Sequence, residues 1–198
     1  MRAELIEEQF GLCGYTGAPV DERLSGFNDS NLAFQAHIEH VKPRRVCQTE
    51  LEERKKRKDV YGRELCEDMD HRNLIAALEV KRKPPADAEI FGAAAHGDEL
   101  LPITPLQPDC ESFFRYGMNG EIVGNGDDAA STIRLLRLDH ATLTSWRRGA
   151  IAAFFPTDEI LSREEVEQRI HILNTPVNNK LAEFSFCIAG YARELLSK

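Results

Sequence analysis

The sequence predicts an α+β chain whose second half is helical. Three observations point there: short apolar runs broken by turn residues up to about position 125, one strong hairpin signal at Asn119-Gly120, and sustained helical periodicity after it. They divide the chain into an N-terminal part, residues 1–125, and a helical C-terminal part, residues 126–198. With 198 residues the chain is long enough to bury a real core.

In order, residues 3–10 have the spacing of a short helix ending at Gly11, and CGYTGAPVDE is a turn-rich loop. Residues 34–41 have strand character and are stopped by Pro43, which cannot donate to a ladder. Residues 48–60 form a charged helix, with acids followed by bases at i,i+4 spacing. In DMDHRNLIAALEVK, Asn73 stands at the start of a short apolar helix. KPPADAE is a loop, and Gly92, Gly97, Pro102, Pro105 and Pro108 leave residues 84–112 largely irregular. FFRYGMNGEIVG supplies the two arms of the hairpin. The stretch DDAASTIRLLRLDHATLTSWRRGAIAAFF makes two helical segments, the first opened by an Asp127/Asp128 cap and the second closed by Pro156. Ser162 and Glu165 have capping-box spacing. A last helix, from about 178, carries Phe184, Ile188, Tyr191 and Leu195 along one stripe.

Composition narrows the class. The five cysteines (13, 47, 66, 110, 187) are odd in number, widely spaced and without a CxxC pair, which disfavours both a disulfide framework and a thiolate zinc knuckle. This pattern reads as a reduced, cytoplasmic chain. MRAELIEEQF lacks the apolar core of a signal peptide, and no run approaches the roughly 20 apolar residues of a membrane span. A net charge of −8 argues against strong autonomous binding to a polyanion, yet the charge is uneven. Residues 42–83 hold 13 basic and 9 acidic side chains, against 2 and 7 before them and 10 and 17 after.

That basic segment directly follows QAHIEHVKPRR, which packs His37, Glu39 and His40 into four positions. Hydrolysis of a phosphodiester with a metal ion needs a hard oxygen ligand and a neutral imidazole to take a proton from water. Glu39 and His40 offer both, and Arg44 and Arg45 lie just beyond for backbone phosphates. Strand alternation sends Glu39 and His40 to opposite faces, although twist at a strand end brings both to one edge. The competing reading is a polar strand end with two tolerated histidines. The spacing is not HExxH, and neither a GxxxxGK loop nor a GxSxG elbow is present. Cys13 reads as a small buried residue. Glu111 and Arg115, four apart, have the spacing of an ion pair.

The segments LCGYTG, AHIEHVKPR, DMDHRNLIAA, FGAAAHGDE, ITPLQPDCESFFRYGMNGEIVG, DDAASTIRLLRLDHATLTSWRRGAI and AEFSFCIAGYARELL, in this order, resemble the HNH-type nuclease subunits of retron and Septu anti-phage systems, the PtuB-like family. The resemblance runs over nearly the whole chain. It implies an HNH (ββα-metal) nuclease domain over 1–125 with a C-terminal helical bundle over 126–198. It places Glu39 at the acidic metal-ligand position, His40 at the general base, and Asn73 at the central Asn that holds the base-carrying loop. His96 is the nearest counterpart of the third motif position, a metal ligand; the other alignment puts it at a basic position of a GA…KG segment. His71 falls at a position usually aromatic and reads as a packed ring, while His37 either orients a neighbour or does nothing chemical.

Where many HNH proteins bind structural zinc through paired CxxC motifs, this chain has Cys13 with Thr16, and Leu78-Glu79-Val80 with Phe91-Gly92. The expectation is a scaffold held by apolar packing, with Mg²⁺ or another divalent cation as cofactor and structural zinc disfavoured. The resemblance also implies a PtuA-like ATPase partner, a nucleic-acid substrate and, in the retron setting, a reverse transcriptase with its non-coding DNA or RNA. The alternative from a different class is a catalytically impaired HNH-fold interaction module that docks on the ATPase.

Overall fold

The computed structural model describes residues 1–28, 33–57, 67–80 and 90–197. The chain is mixed α+β, with two separate two-stranded antiparallel sheets among the described residues. In the first sheet β1 (Phe34–His40) pairs with β2 (Leu74–Val80), in a register running from Phe34↔Val80 to His40↔Leu74. The bond from the Val41 amide to the Asn73 carbonyl, 3.0 Å, continues the ladder past the strand ends.

β2 is the main correction to the sequence reading, which expected a short apolar helix after Asn73. Leu74 through Leu78 are all buried, because α1 (Arg2–Glu8) and α3 (Ala93–His96) both pack against this strand. A strand covered on both faces loses the polar–apolar alternation that marks strands in sequence, and a Leu/Ala-rich run then looks helical.

The outer edge of β2 is closed without a third strand. Gln9 Oε1 accepts from the Ala76 amide at 2.6 Å, and its Nε2 donates to the carbonyls of Ala76 and Leu12 at 2.8 Å. The Gly14 amide also donates to the Ala76 carbonyl, and Cys13 Sγ accepts from the Leu78 amide at 3.2 Å. Side-chain and loop groups thus satisfy an edge that would otherwise offer unpaired donors and acceptors. Gln9→Ala leaves the buried Ala76 amide without its acceptor, so urea denaturation is expected to show a loss of about 1–3 kcal/mol.

α2 spans Arg44–Arg57, starting earlier than the periodicity suggested. Pro43 ends the strand and begins the helix: its carbonyl accepts from the Cys47 amide, and a proline at a helix start forfeits no bond. The KPPADAE loop and the end of the charged helix expected to reach residue 60 fall outside the described residues.

The Asn119-Gly120 hairpin forms as expected, from β3 (Phe114–Tyr116) and β4 (Ile122–Gly124). Gly120 has φ +79°, and a Cβ there would lie 2.1 Å from the Thr144 carbonyl oxygen, so only glycine fits. Its own carbonyl accepts from Arg147 Nε at 2.8 Å, while Arg147 Nη2 reaches the Leu138 carbonyl at 2.8 Å. Arg147 is 1% exposed, and burial pulls its guanidinium below the ordinary value.

Four further helices follow: α4 (Asp127–Leu136), α5 (Ala141–Phe154), α6 (Arg163–Leu173) and α7 (Ser185–Leu196). The expected Asp127/Asp128 cap is replaced by Gly126 at the N-cap, with the two acids in the first turn, where they favour the helix dipole. The capping box at Ser162 and Glu165 is present in both directions. The last helix begins at Ser185 rather than near 178. Asn178 and Asn179 both take positive φ, and Val177 bridges Lys180 around them, making a tight turn of the type Asn residues favour. Phe184 and Ile188 of the predicted stripe are buried, with Tyr191 and Leu195 packed on the same core. Glu111 lies 3.5 Å from Arg193 on α7, so its ion partner is not the expected Arg115.

One hydrophobic cluster takes residues from both ends of the chain, from Leu5, Leu78 and Phe91 to Leu143, Ile151, Leu173 and Ile188. Trp146 stands among the rings of Phe27, Phe34, Phe91 and Phe184, with centroids 4.9–6.5 Å away. Among the described residues, no helix is long and apolar enough to cross a membrane.

Candidate functional site

The C-terminal end of β1 sends its side chains in two directions, each fixed by a different neighbour. Glu39 Oε1 lies 2.8 Å from His96 Nδ1, and Glu39 Oε2 lies 3.7 Å from His37 Nε2. His96, at the end of α3, is 1% exposed, and its Nε2 donates to the Glu99 carbonyl at 2.9 Å. Both imidazole nitrogens therefore face oxygen acceptors. A carbonyl only accepts, so Nε2 is the donor there, and the Nδ1···Oε1 contact is a hydrogen bond only when a proton lies between ring and carboxylate. Tyr15 completes the group with its hydroxyl 3.4 Å from Nδ1 and its ring edge-on to the imidazole. Burial, with the Glu39 carboxylate adding to it, pushes the Tyr15 phenol far above its ordinary value, so it stays protonated.

His40 turns the other way. Its Nε2 lies 3.0 Å from the Asp68 carbonyl oxygen, a contact that is a hydrogen bond only if Nε2 carries the proton. In the neutral ring Nδ1 is then the unprotonated nitrogen. Asp68 is itself buried, with Oδ2 3.7 Å from Arg44 Nε and 3.4 Å from Gln48 Nε2, which ties the segment 67–69 to α2.

Asn73 holds this corner together. Its Oδ1 accepts from the Lys42 amide at 2.7 Å, and its Nδ2 donates to the Lys42 carbonyl at 3.0 Å and the Glu67 carbonyl at 3.2 Å. The turn just after His40 is thereby bolted to the residue beside Asp68. Lys42 Nζ reinforces it with ion pairs to Glu50 and Glu67 at 2.5 and 2.6 Å. Asn73→Ala strands one buried amide and two carbonyls, and chemical denaturation is expected to register a loss of about 1–3 kcal/mol, with Asn73→Asp restoring only the acceptor half.

Arg44 and Arg45 are surface residues at the start of α2, and Arg45 Nη1 sits 3.3 Å from Asp98, close in sequence to His96. His71, expected as a packed ring, is instead half exposed and pairs with Glu8 at 2.9 Å. The residues around the would-be zinc knuckle do come together: Cys13 meets the Leu78 amide, and a Cβ at Gly92 would lie 3.3 Å from Thr16 Cγ2. Cys13 is buried, as read from the sequence. Among the described residues, no group of three or more His, Cys, Asp or Glu side chains is arranged to hold a metal ion.

The structure thus brings Glu39 and His96 together, and separately joins His40 and Asn73 through one turn. Sequence reasoning missed Tyr15, Asp68 and the Glu99 carbonyl. Tyr15 and Glu99 lie in turns or loops and Asp68 in a three-residue 3-10 helix, and two of the three act through backbone oxygens, which leave no signature in side-chain patterns. Comparison with family models and with curated proteins finds no match.

Proposed function

We propose that the chain is a metal-dependent HNH-type endonuclease, the effector subunit of an anti-phage system that works with a PtuA-like ATPase. The observation that carries this reading is the Asn73 clamp: one side chain fixes the turn beyond His40 and, through Glu67, the segment whose carbonyl orients the His40 ring. That is what a general base on a strand end needs, because an imidazole works only when its tautomer and direction are set. The β1–β2 pair followed by α3, with His96 on the helix, is in keeping with a ββα arrangement, and α4–α7 would form the accompanying helical bundle.

Mg²⁺ fits the donor set in a sparse way. It commonly binds through one or two carboxylates, keeps several waters and takes further oxygens from substrate phosphate, so Glu39 suffices as the protein's hard ligand. When bound, the ion would neutralise charge on the scissile phosphate. His40, which turns away from Glu39, would accept the proton of the attacking water at Nδ1 only where the strand-end twist brings both to one edge; Asn73 would hold its turn in place, and Arg44 and Arg45 would contact the phosphate backbone. His96 joins the metal shell only by giving up its bond to Glu39 or to the Glu99 carbonyl. That engagement favours the second reading, an HNH-fold module that docks on the ATPase without cutting.

The two readings separate in one assay. DNA and RNA are incubated with the chain and its ATPase in Mg²⁺, Mn²⁺ or EDTA. Cleavage that disappears with EDTA is expected; intact nucleic acid under every metal, alongside retained ATPase binding, leaves the docking module.

A further inference from the structure

Residues 12–15, the 103–114 segment, α4 and the start of α7 line a half-open pocket of about 260 Å³. Its walls are Leu12, Ile103, Phe114, Leu136 and Phe186, among others. Several polar groups in the walls are already engaged. Gln9 is spent on the edge of β2, and Thr132 Oγ1 accepts from the Ile103 amide and donates to the Asp128 carbonyl. The Tyr116 hydroxyl is bonded to Cys187. At the rim stand the half-buried Cys110 thiol and the half-exposed Glu111 carboxylate, the latter held only loosely by Arg193 at 3.5 Å.

We propose that this pocket is a regulatory site for a compact, largely apolar ring molecule that carries one hydrogen-bond donor. The apolar walls set the body of the ligand, and Glu111 sets the donor it carries, since a carboxylate at the rim accepts and cannot donate. Size agrees: an apolar cavity of about 150 Å³ accommodates benzene, so 260 Å³ takes a bicyclic ring. The regulatory part follows from Tyr15, which lines the pocket and places its hydroxyl 3.4 Å from the His96 nitrogen that holds Glu39. A molecule seated in the pocket presses on the Tyr15 ring and through it shifts the imidazole against the carboxylate. The pocket stands independently of the nuclease reading; only the meaning of a shift at Glu39 for catalysis rests on that reading.

Indole titrated into the full chain, followed by ¹H–¹⁵N and histidine-ring NMR, is the test, and it needs no catalytic activity. Saturable shifts are expected at Leu12, Thr132 and Phe186 and in the His96 ring signals. Indene, the isostere without the N–H, is expected to bind several-fold more weakly, and so is indole to Glu111→Ala, a surface change that leaves the core untouched. Cys110→Phe, which fills the rim, should weaken indole at least tenfold. Absence of saturable shifts at the pocket, or equal affinity for indole and indene with Glu111→Ala unchanged, overturns the site. Pocket shifts with a silent His96 ring overturn its regulatory role.

Discussion

On the proposed nuclease reading, His40→Ala is expected to slow nucleic-acid cleavage by about 10²–10⁴-fold, the range general-base removal produces, with no matching loss of stability. The ring is only partly buried, and its one described bond is to a backbone carbonyl that can turn to solvent. The effect should therefore fall on the rate at saturating substrate rather than on nucleic-acid affinity, because phosphate contact is assigned to Arg44 and Arg45. Initial rates in Mg²⁺ with the ATPase present, beside a thermal melt of each protein, make the measurement. A variant that cuts at the wild-type rate would remove His40 from the chemistry. Asn73→Ala differs in kind, since it is expected to lose both stability and rate by loosening the turn that carries His40.

Arg147→Ala is expected to be the most destabilising single change considered. The guanidinium is buried against two carbonyls from different elements, Gly120 in the hairpin and Leu138 after α4, and a third bond reaches Thr144 Oγ1 at 3.3 Å. Truncation leaves two buried carbonyls without their donors, at about 1–3 kcal/mol each, and adds a cavity where the side chain lay. A fall in Tm on the order of 10 °C follows for a chain of this length. The neighbouring Cys187 thiol, pushed up to about 12 by burial, and the Tyr116 phenol, raised well above its ordinary value by burial, stay neutral and give the charge no anion to pair with. Arg147→Lys should recover little, because an ammonium cannot span two carbonyls as a planar fork does. Equal melts for wild type and Arg147→Ala would mean that the carbonyls find other donors.

The sequence made some parts of the fold legible and hid others for identifiable reasons. The hairpin at Asn119-Gly120 and the capping box at Ser162 and Glu165 were readable because each is specified by neighbours in the chain. β2 was not, because burial on both faces erased its alternation. The apolar spacing from about 178 reads as helix, but two consecutive asparagines take left-handed backbone there and make a turn instead. At the candidate site, Glu39, His40 and Asn73 were legible as candidate residues, and His96 with two alternative positions. The contacts that give them direction were not. Tyr15 is 81 residues from His96, and Asp68 is 28 from His40, distances over which no periodicity operates.

The ring cluster around Trp146 has a practical consequence. The chain has one tryptophan, so its emission has a single source. That source touches Phe27 and Phe34 from the first forty residues, Phe91 from the middle and Phe184 from the last helix region. The protein thus carries a built-in optical probe at the meeting point of distant segments, and a stopped-flow fluorescence trace alone times the arrival of both termini at the interior.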